Sequence, residues 1–383
     1  MPSARRAVRA IHRAALLLAL GCLAAAVARG RAQPAAARRV VIGASGDVLF
    51  HTRVVASARA SGGFDHTLSG LRSIVTDAEI AFANLETPLS TEHAPMRGDP
   101  PRLGAPPEAA GALARAGIDV LSVANNHAWD QRAEGLVETV AALEAAGIAS
   151  VGAAPDEEDA PGPIVIERAG VRVAFVAFTD VLQGHPGTRR PPLRVATWDE
   201  RRARRALERA RARADLVVAS MHWGLGYRHD DRSEQRSAAA ALVRHGADLV
   251  LGHGPHVLQR VERVSSPRGE ALVVYSLGNL VSNQGYLYRR GVRERSAELP
   301  LREPATRDGV WLRAGLELRD GRVAIGGVEA IPLWTHNNHW DVERRRVPPD
   351  VRVLPHRDVD DDALRAERRA AIEAVLGPVV NLL

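Results

Sequence analysis

The 383-residue chain is long enough for one large α/β domain with extensions, and its 46% hydrophobic and 25% charged residues exclude a disordered or fibrous protein. The formal net charge is +6, but Arg5, Arg6, Arg9 and Arg13 lie within the first 28 residues. The rest of the chain therefore carries only +2 (6 − 4), so charge gives no reason to predict nucleic-acid binding.

The first segment has the pattern of an export signal. Four arginines precede the apolar run 14–28, and no acidic residue interrupts it. The run is shorter than the roughly 20 residues that span a bilayer. We expect a signal peptide or N-terminal anchor at 1–28, a linker at 29–38, and a protein exported to the periplasm, to the exterior or to the outer face of the cytoplasmic membrane. The single cysteine, Cys22, excludes a disulfide framework and a cysteine-based zinc site.

Apolar β-branched runs then alternate with amphipathic helical patterns through the domain predicted at 39–334. Strands are predicted at 40–42, 78–83, 119–124, 148–152, 171–178, 215–221 and 247–251, and helices at 107–117, 133–146, 200–213 and 233–245. This alternation predicts an α/β architecture. After Gly309, two strands joined by a turn at Asp320 and Gly321 predict an antiparallel edge of the sheets. Residues 335–383 are expected to form a C-terminal extension with a helix near 362–376.

Five of the predicted strands end in side chains that bind metal ions. Because ligands collect outside the carboxyl ends of strands in an open α/β sheet, we expect these side chains to share one site. Carboxylate, amide and imidazole groups suit Mn²⁺, Zn²⁺ or Fe²⁺. Each residue alone is more often a turn or cap residue; their coincidence predicts the site. The set is Asp47, Glu86, Asn126 with His127, His222, and His253 with His256.

Six blocks in the same order resemble the signature of the CapA/PgsA-type capsule-synthesis family, which is in turn similar to the calcineurin-like metallophosphoesterases. The blocks are GDV at 46–48, ANLETPL at 83–89, NNH at 125–127 with Asp130, HWG at 222–224 with Tyr227, GHGPHVLQ at 252–259, and YSLGN at 275–279. The resemblance covers 40–284. It implies the fold of that superfamily, two packed mixed β-sheets flanked by helices in a four-layer sandwich.

The resemblance also implies roles for individual residues. Asp47, Glu86, Asn126, His222 and His256 would be metal ligands, to which the strand-end pattern adds His253. Two divalent ions about 3.5 to 4 Å apart need a bridging carboxylate, and Glu86 is the candidate. His127 would lie near the substrate as a proton donor or anion stabiliser. Asp130 would either orient that imidazole or cap a helix.

Three positions depart from the pattern. The phosphoesterases usually carry a histidine where this chain has Leu49, and His51 is a possible substitute. The capsule family commonly has a histidine where this chain has Gly254, and often a glutamate at Gly226. The number of ligands is therefore open, and one of two metal sites could be incomplete.

Three functions are compatible with these residues. The resemblance implies an exported metal-dependent protein of capsule or poly-γ-glutamate production, with an anionic polymer as substrate and a membrane synthase as possible partner. The first alternative is a periplasmic metallophosphoesterase acting on phosphoesters, and the second is a catalytically silent scaffold of the same fold.

The sequence makes no prediction of oligomeric state. The arginines of 201–213 are interpreted as a solvated helix face, and 334–340 as a segment that packs or borders the cleft.

Overall fold

The computed structural model describes residues 37–92, 101–155, 162–291 and 299–383. Within them, Arg38–Leu383 belong to one unit. The expected signal or anchor at 1–28 and most of the expected linker lie outside the described residues. No helix in the described ranges is long and apolar enough to cross a lipid bilayer.

The strands are numbered in chain order. They are β1 (Arg38–Val48), β2 (Ile80–Leu85), β3 (Val120–Ser122), β4 (Ala149–Val151), β5 (Ala153–Ala154), β6 (Ile164–Arg168), β7 (Val171–Thr179), β8 (Arg194–Val195), β9 (Leu216–His222), β10 (Leu249–His253), β11 (Val261–Ser266), β12 (Gly269–Val274), β13 (Asn279–Val281), β14 (Asp308–Arg319), β15 (Arg322–Asn337), β16 (Val351–Pro355) and β17 (Asn381–Leu382).

The helices are α1 (Thr52–Ala60), α2 (Phe64–Thr67), α3 (Arg72–Val75), α4 (Glu108–Arg115), α5 (Arg132–Ala145), α6 (Glu200–Arg213), α7 (Ser233–Arg244), α8 (Leu299–Arg302), α9 (His339–Arg345) and α10 (Asp362–Leu376). Local sequence explains where two of the long ones begin. Asp199 begins α6, where its side chain accepts a hydrogen bond from the Arg202 N–H, and Asp361 does the same for α10.

The main sheet has the strand order β4-β3-β2-β1-β14-β15-β12-β10-β9-β7-β6 and folds over on itself. Strands β1 and β4 contact β7 of the other half, and the Phe82 and Phe175 rings stack at 5.9 Å across the interface. The halves are joined where Val323 of β15 pairs with Gly269 of β12. The predicted pair of packed mixed sheets flanked by helices is confirmed, with β15 making the two sheets continuous.

Strand β7 shows why the apolar runs of the sequence are unbroken. Val173, Phe175 and Ala177 enter the core between the two half-sheets. Ala174, Val176 and Phe178 enter a second core against α6 and α7. Successive side chains point to opposite faces, so the part of the strand that is covered on both sides, residues 173–178, has no polar residue.

Two expectations about the C-terminal part need correction. The hairpin β14–β15 turns at Asp320 and Gly321 as predicted, but it lies in the middle of the sheet, between β1 and β12. β14 is buried on both faces over most of its length and β15 at residues 332–335, as strands inside a sheet are. The expected boundary at 334 falls inside β15, and β16, β17 and α10 pack on the same unit. The C-terminal extension is therefore part of the domain.

Candidate metal centre

The carboxyl ends of the strands converge because of the strand register. Asp47 on β1 pairs with Asn84 on β2 and with Asn279 on β13. In the other half-sheet His222 on β9 pairs with His253 on β10. The two half-sheets face each other, so these strand ends meet at one edge of the core.

Gly46 permits the close approach on which this convergence depends. A Cβ atom at this position would lie 1.9 Å from the carbonyl oxygen of Gly278, in the turn before β13. Without that atom, the Asp47 N–H donates to the same oxygen at 3.0 Å. Any larger residue would displace Asp47 from the site.

Glu86 is the centre of the cluster. Its Oε1 lies 3.9, 3.7 and 3.8 Å from the Nε2 atoms of His127, His222 and His256. The residue is fully buried, and neither carboxylate oxygen has a hydrogen-bond partner among the described residues. Asp47, Glu86 and His222 each offer an atom within 4.8 Å of the others, a group able to hold a metal ion.

Asp47 is held by a set of donors. Its carboxylate accepts hydrogen bonds from the Asn84 side-chain amide at 2.8 Å and from the Gly254 N–H at 3.1 Å. The Nδ1 atoms of His253 and His256 lie 3.4 and 3.3 Å away. Burial alone would raise the pKa of Asp47, but the two imidazoles outweigh burial and hold it well below its usual range. Asp47 is therefore an anion.

Unlike Asp47, which is held in its charged form, Glu86 and His222 have pKa values shifted towards their neutral forms. Burial, followed by the negative charge of Asp47, raises the pKa of Glu86 well above its ordinary value. Burial lowers the pKa of His222 to about 3 against the opposing charge of Asp47, and the neighbouring imidazoles lower it further. His222 is thus neutral, as a metal ligand must be, and a bound cation would stabilise the ionised form of Glu86.

Three more predicted ligands lie at the same site. The Asn126 Oδ1 and both ring nitrogens of His253 are buried without a hydrogen-bond partner in the described part of the chain. The Nδ1 of His256 lies 3.1 Å from the Asn279 Oδ1, which leaves its Nε2 facing Glu86. Unpartnered oxygen and imidazole nitrogen atoms fit a divalent cation, because that donor mixture is the one borderline ions prefer.

His127 and Asp130 form a pair at the edge of the cluster. The Nδ1 of His127 is 2.6 Å from the Asp130 Oδ2, and this oxygen also accepts the Leu103 N–H at 2.5 Å. The geometry fixes the ring with Nε2 towards Glu86. This hydrogen bond is the contact that the orienting role of Asp130 requires.

The structure explains the glycine at 254 and shows where His51, the possible substitute for the histidine missing at Leu49, lies. Gly254 has φ of +103°, and a Cβ there would lie 2.8 Å from the Trp223 carbonyl oxygen, so a histidine would be strained. His51 does line the cleft, but its Nδ1 accepts the Asn283 N–H at 3.2 Å. Burial, helped by His127 and His256, lowers the pKa of His51 to about 3. Only its Nε2 remains available for a ligand.

A cleft of about 230 Å³ opens above the cluster. Asn126, His127, His222 and His256 line it, whereas Asp47, Glu86 and His253 lie fully buried. All the predicted site residues therefore come together, with Asp130 behind His127.

Sequence reasoning assigned no role to three other residues here. Asn84 and Asn279 hold Asp47 and His256 by side-chain hydrogen bonds, and both lie in the quoted blocks. Asp180 follows β7 and lines the cleft. Burial raises its pKa to about 6, although a hydrogen bond from the Gly224 N–H opposes this shift. Its position at a strand end was the available signal.

The comparisons with known proteins agree on one family. The model described as "Bacterial capsule synthesis protein PGA_cap" matches residues 41–284. The chain is 35% identical over 188 residues to "Capsule biosynthesis protein CapA" of Bacillus anthracis, covering 48% of this chain and 45% of that one. It is 30% identical over 248 residues to "PGA biosynthesis protein CapA" of Bacillus subtilis (strain 168), covering 64% of each.

Similarity to solved structures is weaker. The 5'-nucleotidase precursor from Thermus thermophilus gives a TM-score of 0.44 at 12% identity, covering 87% of this chain and 58% of that one. The chain spans less than two thirds of the length of the two curated relatives. Since the family model matches more than half of the chain, across every block of the metal cluster, the chain belongs to the bacterial capsule synthesis protein family PGA_cap.

Proposed function

We propose that this protein is an exported, metal-dependent hydrolase that acts on an anionic polymer in capsule or poly-γ-glutamate production. One observation carries the proposal: Glu86 is buried with both carboxylate oxygens unpartnered in the described residues, opposite three imidazoles and beside the anionic Asp47. Burying such a carboxylate is costly unless a cation binds it. Membership of the capsule synthesis family supports the choice of a capsule polymer such as poly-γ-glutamate as the substrate.

The side chains divide into those that would hold metal and those that would act on substrate. One or two divalent ions would be held by Asp47, Glu86, Asn126, His222, His253 and His256. Mn²⁺, Zn²⁺ and Fe²⁺ fit these donors. Such ions, when bound, activate water and polarise the bond to be cleaved.

His127 has the geometry of a proton donor to the leaving group. Asp130 accepts from its Nδ1, which leaves Nε2, 3.9 Å from the Glu86 Oε1, free to act at the metal cluster and in the cleft that His127 lines. A protonated ring would deliver its Nε2 proton to the departing atom or stabilise negative charge developing there. Asn84 and Asn279 would keep Asp47 and His256 in place.

Action outside the cytoplasmic membrane is also proposed. The arginines before the apolar run 14–28 are its support. A membrane-bound polymer synthase is the partner that this location would allow.

The test uses the purified full-length chain with Mn²⁺ and two substrates, poly-γ-glutamate and an aryl phosphate. We expect shortening of the polymer, stopped by a chelator and reduced about 100-fold or more by His127→Ala. Asn126→Ala should lower both metal content and activity. Cleavage of the aryl phosphate alone would favour the phosphoesterase function. A metal-loaded chain that cleaves neither substrate would contradict the hydrolase proposal and favour a binding scaffold.

A further inference from the structure

A second cavity, of about 320 Å³, lies beside the metal cleft. Arg189, Arg194, Arg202 and His185 line it, and none of the described residues in its lining is acidic. Charges of one sign on low-dielectric walls raise the local concentration of ligands of the opposite sign. The cavity therefore favours an anionic ligand.

The cavity and the cleft share a wall. Val181 and Gln183 line the cleft, while Leu182 between them lines the cavity. Trp129 lines the cavity two residues after His127, which lines the cleft. Consecutive Cα atoms are about 3.8 Å apart, so the Cα atoms of His127 and Trp129 lie within about 8 Å of each other. A ligand that extends across residues 181–183 would contact both spaces.

Hydrogen bonds hold this wall in place. The Gln183 N–H donates to the Asn126 carbonyl oxygen at 2.9 Å, and the Ala133 N–H donates to the Pro186 carbonyl oxygen at 3.0 Å. On the far side, Arg202 lies in the first turn of α6, with its guanidinium 3.4 Å from the Thr197 Oγ1. The cavity is therefore formed before any ligand arrives.

We propose that this cavity binds a free carboxylate of an anionic polymer while a neighbouring unit of the same chain lies at the metal centre. This inference rests on the proposed function. Guanidinium groups pair with carboxylates through two parallel hydrogen bonds. Trp129, Phe178 and Leu182 supply apolar surface for the methylene groups between the carboxylates of poly-γ-glutamate. Inorganic polyphosphate has the charge but no methylene groups, so the carboxylate polymer is the better match.

The experiment measures the dissociation constant of a labelled poly-γ-glutamate oligomer with the full-length chain. The test variant is Arg189→Gln with Arg202→Gln. The matched control is Arg205→Gln, because Arg205 is exposed on the same helix as Arg202 and does not line the cavity. Divalent metal content and thermal unfolding are measured for every variant. Inorganic polyphosphate of equal charge is the competing ligand.

We expect the dissociation constant to rise about tenfold or more in the double variant, since two charge-assisted contacts are lost, and to stay within about twofold in the control. Equal affinity of the double variant and the unmodified chain would overturn the subsite. Tighter binding of polyphosphate than of the oligomer would overturn the choice of ligand. Metal content reports separately on the proposed centre, so a chain without metal would contradict the hydrolase but not this readout.

Discussion

At the residue scale, two buried carboxylates in the site differ in their hydrogen-bond partners. Asp47 accepts hydrogen bonds from the Asn84 side chain and the Gly254 N–H, whereas Glu86 accepts none in the described structure. An unpartnered buried polar group costs about 1 to 3 kcal/mol, and a charged one more. The neutral His222 beside it offers an electron pair instead of a proton. This asymmetry fits a cation site better than an ion-pair network.

Asp130 tests whether His127 must be held in orientation. Asp130→Asn weakens the bond to His127 Nδ1, and we expect kcat to fall roughly 10- to 100-fold with metal content unchanged and KM nearly so. The control is Gln131→Ala. Gln131 donates to the Leu103 carbonyl oxygen, so its loss loosens the loop that Asp130 also holds without touching the imidazole. Equal losses of kcat in the two variants would reduce Asp130 to a structural role.

At the element scale, the C-terminal helix supports the central hairpin. Arg368 on α10 donates from Nε and Nη2 to the carboxylate of Asp308, which begins β14, and both residues are buried. Burial raises the pKa of Asp308 to about 6 despite this partner. Because β14 pairs with β1, the strand that carries Asp47, the contact links the chain's end to the site.

Arg368→Ala should therefore destabilise the protein by about 3 to 5 kcal/mol, since it leaves the Asp308 carboxyl buried and unpaired. Glu373→Ala, at an exposed position of the same helix, should change stability by no more than about 0.5 kcal/mol. Denaturant unfolding gives both values. Removal of both partners, in Asp308→Asn with Arg368→Leu, should cost less than Arg368→Ala alone. If Arg368→Ala were as stable as Glu373→Ala, the contact between Arg368 and Asp308 would not support the hairpin.

At the scale of the whole molecule, the alternation of strands and helices predicted the α/β class and the strand-end pattern predicted the residues that converge, whereas the pair of packed sheets was implied by the family resemblance. Apolar runs such as Val171–Thr179 mark strands buried on both faces, and a polar residue directly after each strand marks the ligand edge. The central position of β14–β15 was not predictable, because strand order depends on contacts between residues far apart in the chain. The supporting roles of Asn84 and Asn279 were hidden for the same reason.

The most direct test of the metal centre compares the full-length chain with Glu86→Gln. We expect the unmodified chain to bind divalent metal and to gain about 2.7 kcal/mol of stability at a free metal concentration 100 times its Kd. Glu86→Gln should lose that gain and, without metal, be at least as stable as the parent, because it removes an unpaired buried carboxyl. Glu144→Gln, at an exposed position, should behave like the parent. A parent chain that binds no divalent metal, or a Glu86→Gln variant stabilised equally by it, would contradict the account.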